Sequence, residues 1–215
     1  MFTHSYRDSI LETMDGASLA AWTPFVSLIK SISDLRAGTV TEADYAGYGT
    51  RPSCSFGAPA NTSPAGGRQK ANDALLTFPQ NTGANQDVIA FGTHTAATAG
   101  TLRLIDFLDA DPPIIGTADT ADLITSYVHG LEADQRVFVL ASPGAVIPTG
   151  LAENTAYFVL ATGLTADAFK LSTTSGGAAV DITAGGAAMF IPYKVRTIAG
   201  GSTPEYAIGA LVQQM

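Results

Sequence analysis

Few side chains in this sequence are of a type that could do chemistry. Three histidines, His4, His94 and His129, lie in different segments, without the i,i+4 spacing by which a helix presents two metal ligands. The single cysteine, Cys54, can form neither an intramolecular disulfide nor a Cys-rich zinc site. We therefore expect no metal site, and we predict that Cys54 is a small buried apolar residue.

Three carboxylates lie close together in the sequence, at Asp106, Asp109 and Asp111. Such a group could supply the paired acid and base of sugar hydrolysis. Asp106 falls in a predicted strand and the other two in a linker, so solvated or turn-capping carboxylates are the favoured interpretation. The sequence has no Gly-x-Ser-x-Gly elbow, phosphate loop or dinucleotide fingerprint. We expect no catalytic residue, no cofactor and no enzymatic activity.

The charge balance limits the possible partners. The 215 residues include 11 Lys and Arg against 19 Asp and Glu, a net charge of −8. Without a cluster of basic residues the chain has no footprint for phosphate backbones, so nucleic-acid binding is not expected. The first residues contain no apolar signal segment, and no run approaches the roughly 18 apolar residues of a membrane span. We expect a protein made and used in soluble form.

The chain begins with one predicted helix, over residues 5–14. Ser5 resembles a capping residue, Tyr6 and Ile10 share the apolar face, and Gly16 ends the helix. A helix this short is unstable alone and must pack on something. It either covers an open end of the following sheet or docks onto a neighbouring subunit.

The rest of the chain predicts strands. Short β-branched or aromatic runs alternate with Gly, Pro, Asn and Asp clusters, a pattern typical of antiparallel β domains. Residues 39–49 predict a loop with one helical turn over 42–45, and 58–67 an exposed loop that does not pair. The last strand before residue 110 has apolar residues on both faces, which predicts a central strand, or one whose second face meets a partner. The strands predicted in this part cover 23–32, 51–57, 72–78, 87–94 and 102–108.

Residues 129–193 predict a small antiparallel β domain. Its order of elements is His-Gly-Leu, a polar turn, Val-x-Val, Pro-x-Gly-Leu, Asn-Thr-x-Tyr-Phe-Val, and Phe-x-Leu-Ser-x-Thr-x-Gly-Gly-Ala-Ala. Over roughly 122–190 this order resembles a β module found in tail fibres and head-surface proteins of tailed bacteriophages. The resemblance implies a virion protein.

The first half of the chain carries a second resemblance. The elements Tyr48-x-x-Arg51, Leu-Thr-Phe78-Pro, Ala-Phe91-Gly-Thr and Ile-Asp-Phe-Leu-Asp-Ala110 are similar to a family of short phage proteins usually labelled tail fibre proteins. The chain departs from that family at Phe91, where a tryptophan is usual, and in the spacing between Tyr48 and Arg51.

Residues 195–212 resemble the end of the same family, which implies that the β module is inserted before the last strands of the first domain. The predicted domains are 1–117 joined with 192–215, a β anchoring domain, and 118–191, an inserted β domain that projects outward. Insertion at an exposed turn is tolerated when the two ends lie close together. The predicted fold is all-β, mostly antiparallel and sandwich-like, with one short N-terminal helix.

These resemblances lead us to expect an accessory virion protein, assembled in the host cytoplasm. The main hypothesis is a capsid decoration or minor capsid protein that binds the major capsid protein on the outer surface of the shell as a homotrimer, since exposed β edges are usually satisfied by partners. Trp22 is explained equally well as a core plug between helix and sheet. The candidate subunit and lattice contacts are Tyr6, Ile10, Trp22 and Phe25.

Two alternatives remain open. The family label favours a tail-fibre or tail-tip component that contacts the host surface, present in far fewer copies than a decoration protein. A host-glycan-binding module is the weaker alternative and would need exposed aromatic residues on the inserted domain. Tyr127, Tyr157 and Tyr193 are the candidates, although strand alternation predicts that Tyr157 is buried.

Overall fold

The computed structural model describes residues 23–58, 60–61 and 68–214. Within those ranges every regular element is a β-strand and every strand pairing is antiparallel, which confirms the all-β prediction. The predicted N-terminal helix, with Tyr6 and Ile10, lies outside the described residues, as does Trp22. The sandwich-like packing of the sheets stays a prediction.

The chain divides into two compact units. Unit 1 comprises the chain up to Leu108 and again from Val195, and unit 2 comprises Asp109–Lys194. The independent folding of each unit and the boundaries of the inserted domain stay predictions.

Unit 1 contains eleven strands among the described residues, the first eight before the division and the last three after it. They are β1 (Phe25–Asp34), β2 (Thr39–Glu42), β3 (Ala60–Asn61), β4 (Arg68–Ala71), β5 (Leu76–Thr77), β6 (Gln86–Val88), β7 (Ala90–His94), β8 (Leu102–Phe107), β16 (Arg196–Ile198), β17 (Glu205–Tyr206) and β18 (Val212–Gln214). Four of them form the main sheet of the unit, in the order β2-β1-β7-β8.

Several local predictions for unit 1 are wrong. β2 occupies the first part of the loop expected over residues 39–49, because its Thr-Val-Thr run pairs with β1, and no helical turn forms over 42–45. The strand expected over 51–57 is reduced to two isolated bridges, Phe25–Ser53 and Phe56–Asn72. β3 pairs with β4 inside the segment expected to stay unpaired.

β8 lies at the edge of the four-stranded sheet and not at its centre. Its neighbouring residues Leu104 and Ile105, which point to opposite faces, are nevertheless both buried. The two apolar faces were thus a sign of burial on both sides, but they did not distinguish a central strand from an edge strand.

A broken antiparallel ribbon joins the early and late parts of unit 1. β16 pairs with β6, β17 with β5 and β18 with β4, so residues 68–88 run against residues 196–214. Each break in this ribbon contains a buried asparagine, Asn72 or Asn81. Both side chains bond backbone groups on the opposite segment, so they hold the two segments together where the ladder is interrupted.

The two places where the chain leaves and re-enters unit 1 are close together. The Leu108 amide donates to the Ile89 carbonyl at 2.9 Å, and Arg196 pairs with Val88. In unit 2, likewise, the Asp111 amide donates to the Pro192 carbonyl at 3.1 Å. Each unit therefore brings its own two chain ends side by side, the geometry that tolerates insertion.

Unit 2 is built on one seven-stranded sheet, in the order β13-β10-β9-β15-β11-β12-β14. Alternate residues of its central strands, including Val137, Val139, Tyr157 and Phe190, enter one hydrophobic core. The Phe169 ring meets Phe190 edge to face, with the ring centroids 5.3 Å apart. The strands are β9 (Ile114–Ala118), β10 (Ile124–Thr125), β11 (Arg136–Ala141), β12 (Thr155–Val159), β13 (Ala168–Phe169), β14 (Leu171–Ser172) and β15 (Gly186–Tyr193).

Candidate functional site

A partly buried polar network in unit 1 brings together a serine, a histidine, a glutamate and an arginine. His94 Nε2 lies 2.9 Å from Ser27 Oγ and 3.6 Å from Glu42 Oε1. Arg51 binds Glu42 through two bonds, Nε to Oε2 at 3.0 Å and Nη2 to Oε1 at 2.6 Å. The third guanidinium nitrogen donates to the Ala96 carbonyl at 3.1 Å. The network ties β1, β2, β7 and the two loops beside them into one structure.

The serine and histidine do not have the arrangement of a catalytic triad. His94 Nδ1 faces the Gly100 carbonyl at 3.3 Å, an acceptor only, so Nδ1 carries the proton and Nε2 accepts from Ser27. In a triad the carboxylate would orient the histidine through Nδ1, whereas Glu42 lies on the Nε2 side. Ser27 is fully buried and His94 is 3 % exposed, so a substrate cannot reach the hydroxyl.

The network predicts a pH dependence of stability. Burial, and then the positive charge of Arg51, lower the pKa of His94, while Glu42 and the Gly100 carbonyl oppose them. A histidine whose pKa is lower folded than unfolded stabilises the fold above its unfolded value of about 6.5, and that stabilisation is lost as the pH falls through the folded pKa. We expect the urea midpoint to be flat above about pH 7 and to decline below about 6.5.

The matched variant for this experiment is His94→Gln, which cannot titrate. We expect it to be less stable at pH 8, because the bonds to Ser27 and Gly100 are altered, but to lose less stability between about pH 7 and pH 5.5 than the native chain. Parallel curves for the two proteins in that interval would show that the acid sensitivity arises elsewhere.

The other candidate reactive residues are distributed over both units. Asp106 lies in β8, Asp109 and Asp111 lie in unit 2, and the Asp111 carboxylate accepts from Gln135 at 3.0 Å. Cys54 is buried as predicted, and burial, with the charge of Asp73, raises the pKa of its thiol to about 11. A thiol that stays protonated is a poor nucleophile. His129 has its own partners in unit 2, the Leu131 amide and the Phe169 ring.

The residues that carry the fibre-family resemblance have structural roles in the core of unit 1. Tyr48 stacks on Phe78 with ring centroids 6.4 Å apart, and Phe78 meets Tyr206 edge to face at 5.8 Å. The Tyr48 hydroxyl accepts from the Leu28 amide at 3.2 Å. Burial is the largest influence on the pKa of Tyr48 and raises it. The bond from the Leu28 amide opposes burial and the Glu42 charge adds to it, so the hydroxyl stays neutral.

Among the surface candidates, Tyr127 is the one that the structure exposes. Its side chain is 87 % exposed, whereas Tyr157, as predicted, and Tyr193 are buried. Phe25, the one proposed lattice contact within the described residues, is half-buried at the start of β1. Sequence reasoning missed Ile115, which is 62 % exposed in β9, because an isoleucine inside a strand is normally a sign of the core.

The described residues contain neither a metal-binding cluster nor a membrane-spanning helix. In the described ranges no group of three or more His, Cys, Asp or Glu side chains is placed to hold a metal ion. None of the described residues forms a helix long and apolar enough to cross a membrane.

The first part of the chain matches a known protein family. A family model described as podophage GP4 fiber I protein gp80 matches residues 3–128, more than half of the chain. No curated protein and no solved structure matches it. The matched range covers every strand of unit 1 before the division, together with β9 and β10 of unit 2. It therefore includes Tyr48 and Phe78 of the fibre-family resemblance, whereas Tyr206 lies beyond it.

Proposed function

We propose, because the chain belongs to the family of podophage GP4 fiber I protein gp80, that it is a structural part of a phage tail fibre. As a member of that family it is a virion structural protein of the fibre type. The tail location is the finer part of the proposal. The family match carries it, because the match includes most of the segments that build the core of unit 1.

The arrangement of unit 1 supports a structural role. Its motif residues stack, pair and cap backbone groups inside the fold, and its serine and histidine are buried. We propose that the chain performs no catalytic step and acts by association with other virion proteins and with copies of itself. The predicted trimer remains part of this proposal.

The capsid-decoration hypothesis has no specific support from the family match, which fits the tail-fibre alternative better. A partner role for the major capsid protein rests on that hypothesis alone. The host-glycan alternative required several exposed aromatic residues, and two of its three tyrosines are buried.

The number of copies per virion tests the proposal. A fibre component should be present in a few to tens of copies, whereas a protein that decorates a symmetric shell is present in hundreds. We expect quantitative mass spectrometry of purified particles, with the major capsid protein as internal reference, to give the low number. A ratio near one chain per major capsid protein would support the capsid-decoration hypothesis and contradict the tail-fibre proposal.

A further inference from the structure

Unit 1 has an exposed apolar patch at the place where its antiparallel ribbon is interrupted by Asn72. The Asn72 amide group donates to the Ala74 and Ala207 carbonyls at 2.9 and 2.8 Å, so segments 74–75 and 207–210 adjoin there. Every residue of these two segments is exposed, and none of them carries a charge. We call these six residues the ribbon patch: Ala74, Leu75, Ala207, Ile208, Gly209 and Ala210.

The ribbon patch contains both of the large apolar side chains that are exposed among the described residues of unit 1. Leu75 is 57 % exposed and Ile208 is 69 % exposed. Single exposed apolar residues are normal on a protein surface, whereas a contiguous group with polar surroundings marks an interaction site. The two large side chains belong to such a group, since the other members of the patch are apolar as well.

The backbone beneath the patch is fixed by hydrogen bonds. The Gly209 amide donates to the Asn72 carbonyl at 2.9 Å, and the Ala210 amide donates to the Ala207 carbonyl at 3.0 Å. The Leu211 amide donates to the Asn72 side-chain oxygen at 2.9 Å, and the Leu211 side chain is fully buried. The two large exposed side chains are therefore presented on an ordered backbone, and a partner that covers them loses little free energy to ordering it.

The charge of each unit indicates which of them meets other copies of the chain. The described residues of unit 1 include seven Lys and Arg and seven Asp and Glu, whereas residues 109–194 include three Lys and Arg against nine Asp and Glu. Copies of unit 2 therefore repel one another, whereas copies of unit 1 approach without net repulsion. An association between copies should thus use the apolar surface of unit 1, and the large exposed part of that surface is the ribbon patch.

The residues beside the patch carry charges of both signs. Asp73 and Glu205 are exposed next to it in the sequence, and the exposed Arg196 lies over the Tyr206 ring, 5.1 Å from its centroid. Protein interfaces have an apolar centre, which supplies most of the binding energy, and a polar rim, which excludes water from it. A rim of mixed sign has no net field that would repel an identical rim.

We propose that the ribbon patch is the surface through which copies of this chain associate, with Leu75 and Ile208 of one copy packed against unit 1 of the next. This names the contact for the association between copies in the proposed function and rests on that part of it. It does not depend on where the chain is located on the virion.

Sedimentation equilibrium of the full chain measures the association. We expect the native chain to form an oligomer, and the double variant Leu75→Gln with Ile208→Gln to weaken its association about 30-fold or more. Val146→Gln replaces a comparably exposed apolar residue of unit 2, which is 76 % exposed, and should associate as the native chain does. The thermal midpoints of the three proteins should agree, because the replaced side chains are exposed, so a loss of association is not a loss of fold.

Ionic strength gives a second readout that a merely structural role of the patch would not move. Because the proposed contact is apolar and the copies of unit 2 repel one another, association should tighten as sodium chloride is raised from about 20 to about 500 mM, where charges are screened within about 4 Å. An interface held by ion pairs would weaken instead.

Three results would overturn the proposal: a native chain that stays monomeric at about 100 μM in both salts, a double variant that associates as tightly as the native chain, or an association that salt weakens. A monomeric chain that uses the patch to bind a different virion protein falls under the first of these. Patch-dependent association of a chain located on the capsid would overturn the tail-fibre proposal and leave this one standing, whereas a monomeric chain located on the tail would overturn this one alone.

Discussion

Replacing Asn72 with alanine should cost about 3 kcal/mol of unfolding free energy. The Asn72 amide group donates to the Ala74 and Ala207 carbonyls at 2.9 and 2.8 Å, and its oxygen accepts from the Leu211 amide at 2.9 Å. The side chain is buried, and the Leu211 amide would lose its partner inside the fold. Urea denaturation monitored by circular dichroism measures the loss.

Two further variants show whether the amide bonds are responsible. Asn72→Asp keeps the acceptor but turns a carboxylate towards two carbonyl oxygens, so it should cost at least as much as Asn72→Ala. Asn85→Ala removes a similar bond, the one from the Gly200 amide at 3.0 Å, at an exposed position, and should cost about 1 kcal/mol or less. Equal losses at Asn72 and Asn85 would contradict the role assigned to the buried asparagine.

Gly150→Ala should disrupt unit 2. Gly150 has a φ of 115°, and a Cβ placed there would lie 2.1 Å from the Asp181 carbonyl oxygen. Backbone must move to relieve that contact, in addition to the strain of the φ itself, so we expect a loss of about 4 kcal/mol or more. Hydrogen exchange read by mass spectrometry should show faster exchange across residues 109–194.

Gly130→Ala is the matched control. Gly130 also has a positive φ, 67°, but a Cβ there meets nothing within 4 Å, so only the conformational cost of about 1 kcal/mol remains. If unit 2 is an independently folding insertion, exchange in unit 1 should stay slow in both variants. Loss of protection in both units of Gly150→Ala would contradict independent folding.

The elements that the sequence predicted well are those whose information is local. β1 and β8 follow from long runs of β-branched and apolar residues, and the burial of Cys54 and Tyr157 follows from residue type and strand alternation. β2 was missed because Glu42-Ala-Asp-Tyr45 favours a helical turn when read alone, whereas pairing with β1 decides the outcome. The local helical propensity is overridden by pairing with the neighbouring strand.

The features that could not be predicted depend on residues far apart in the chain. Asn72 bonds a residue 135 positions later, and Ser27 meets His94 across 67 positions. Neither pairing has a local signal. The positive φ of Val128, 47°, and the exposure of Ile115 could not be predicted either. Valine and isoleucine in such positions normally indicate a regular strand and a buried side chain.

The position of the chain on the virion tests its assignment as a tail-fibre protein most directly. Antibodies against the purified chain, coupled to gold and applied to intact particles, should label the tail and leave the head surface bare. Particles grown without the gene should lack fibre density in averaged electron micrographs. Label distributed over the capsid, with fibres intact in the deleted particles, would contradict the account.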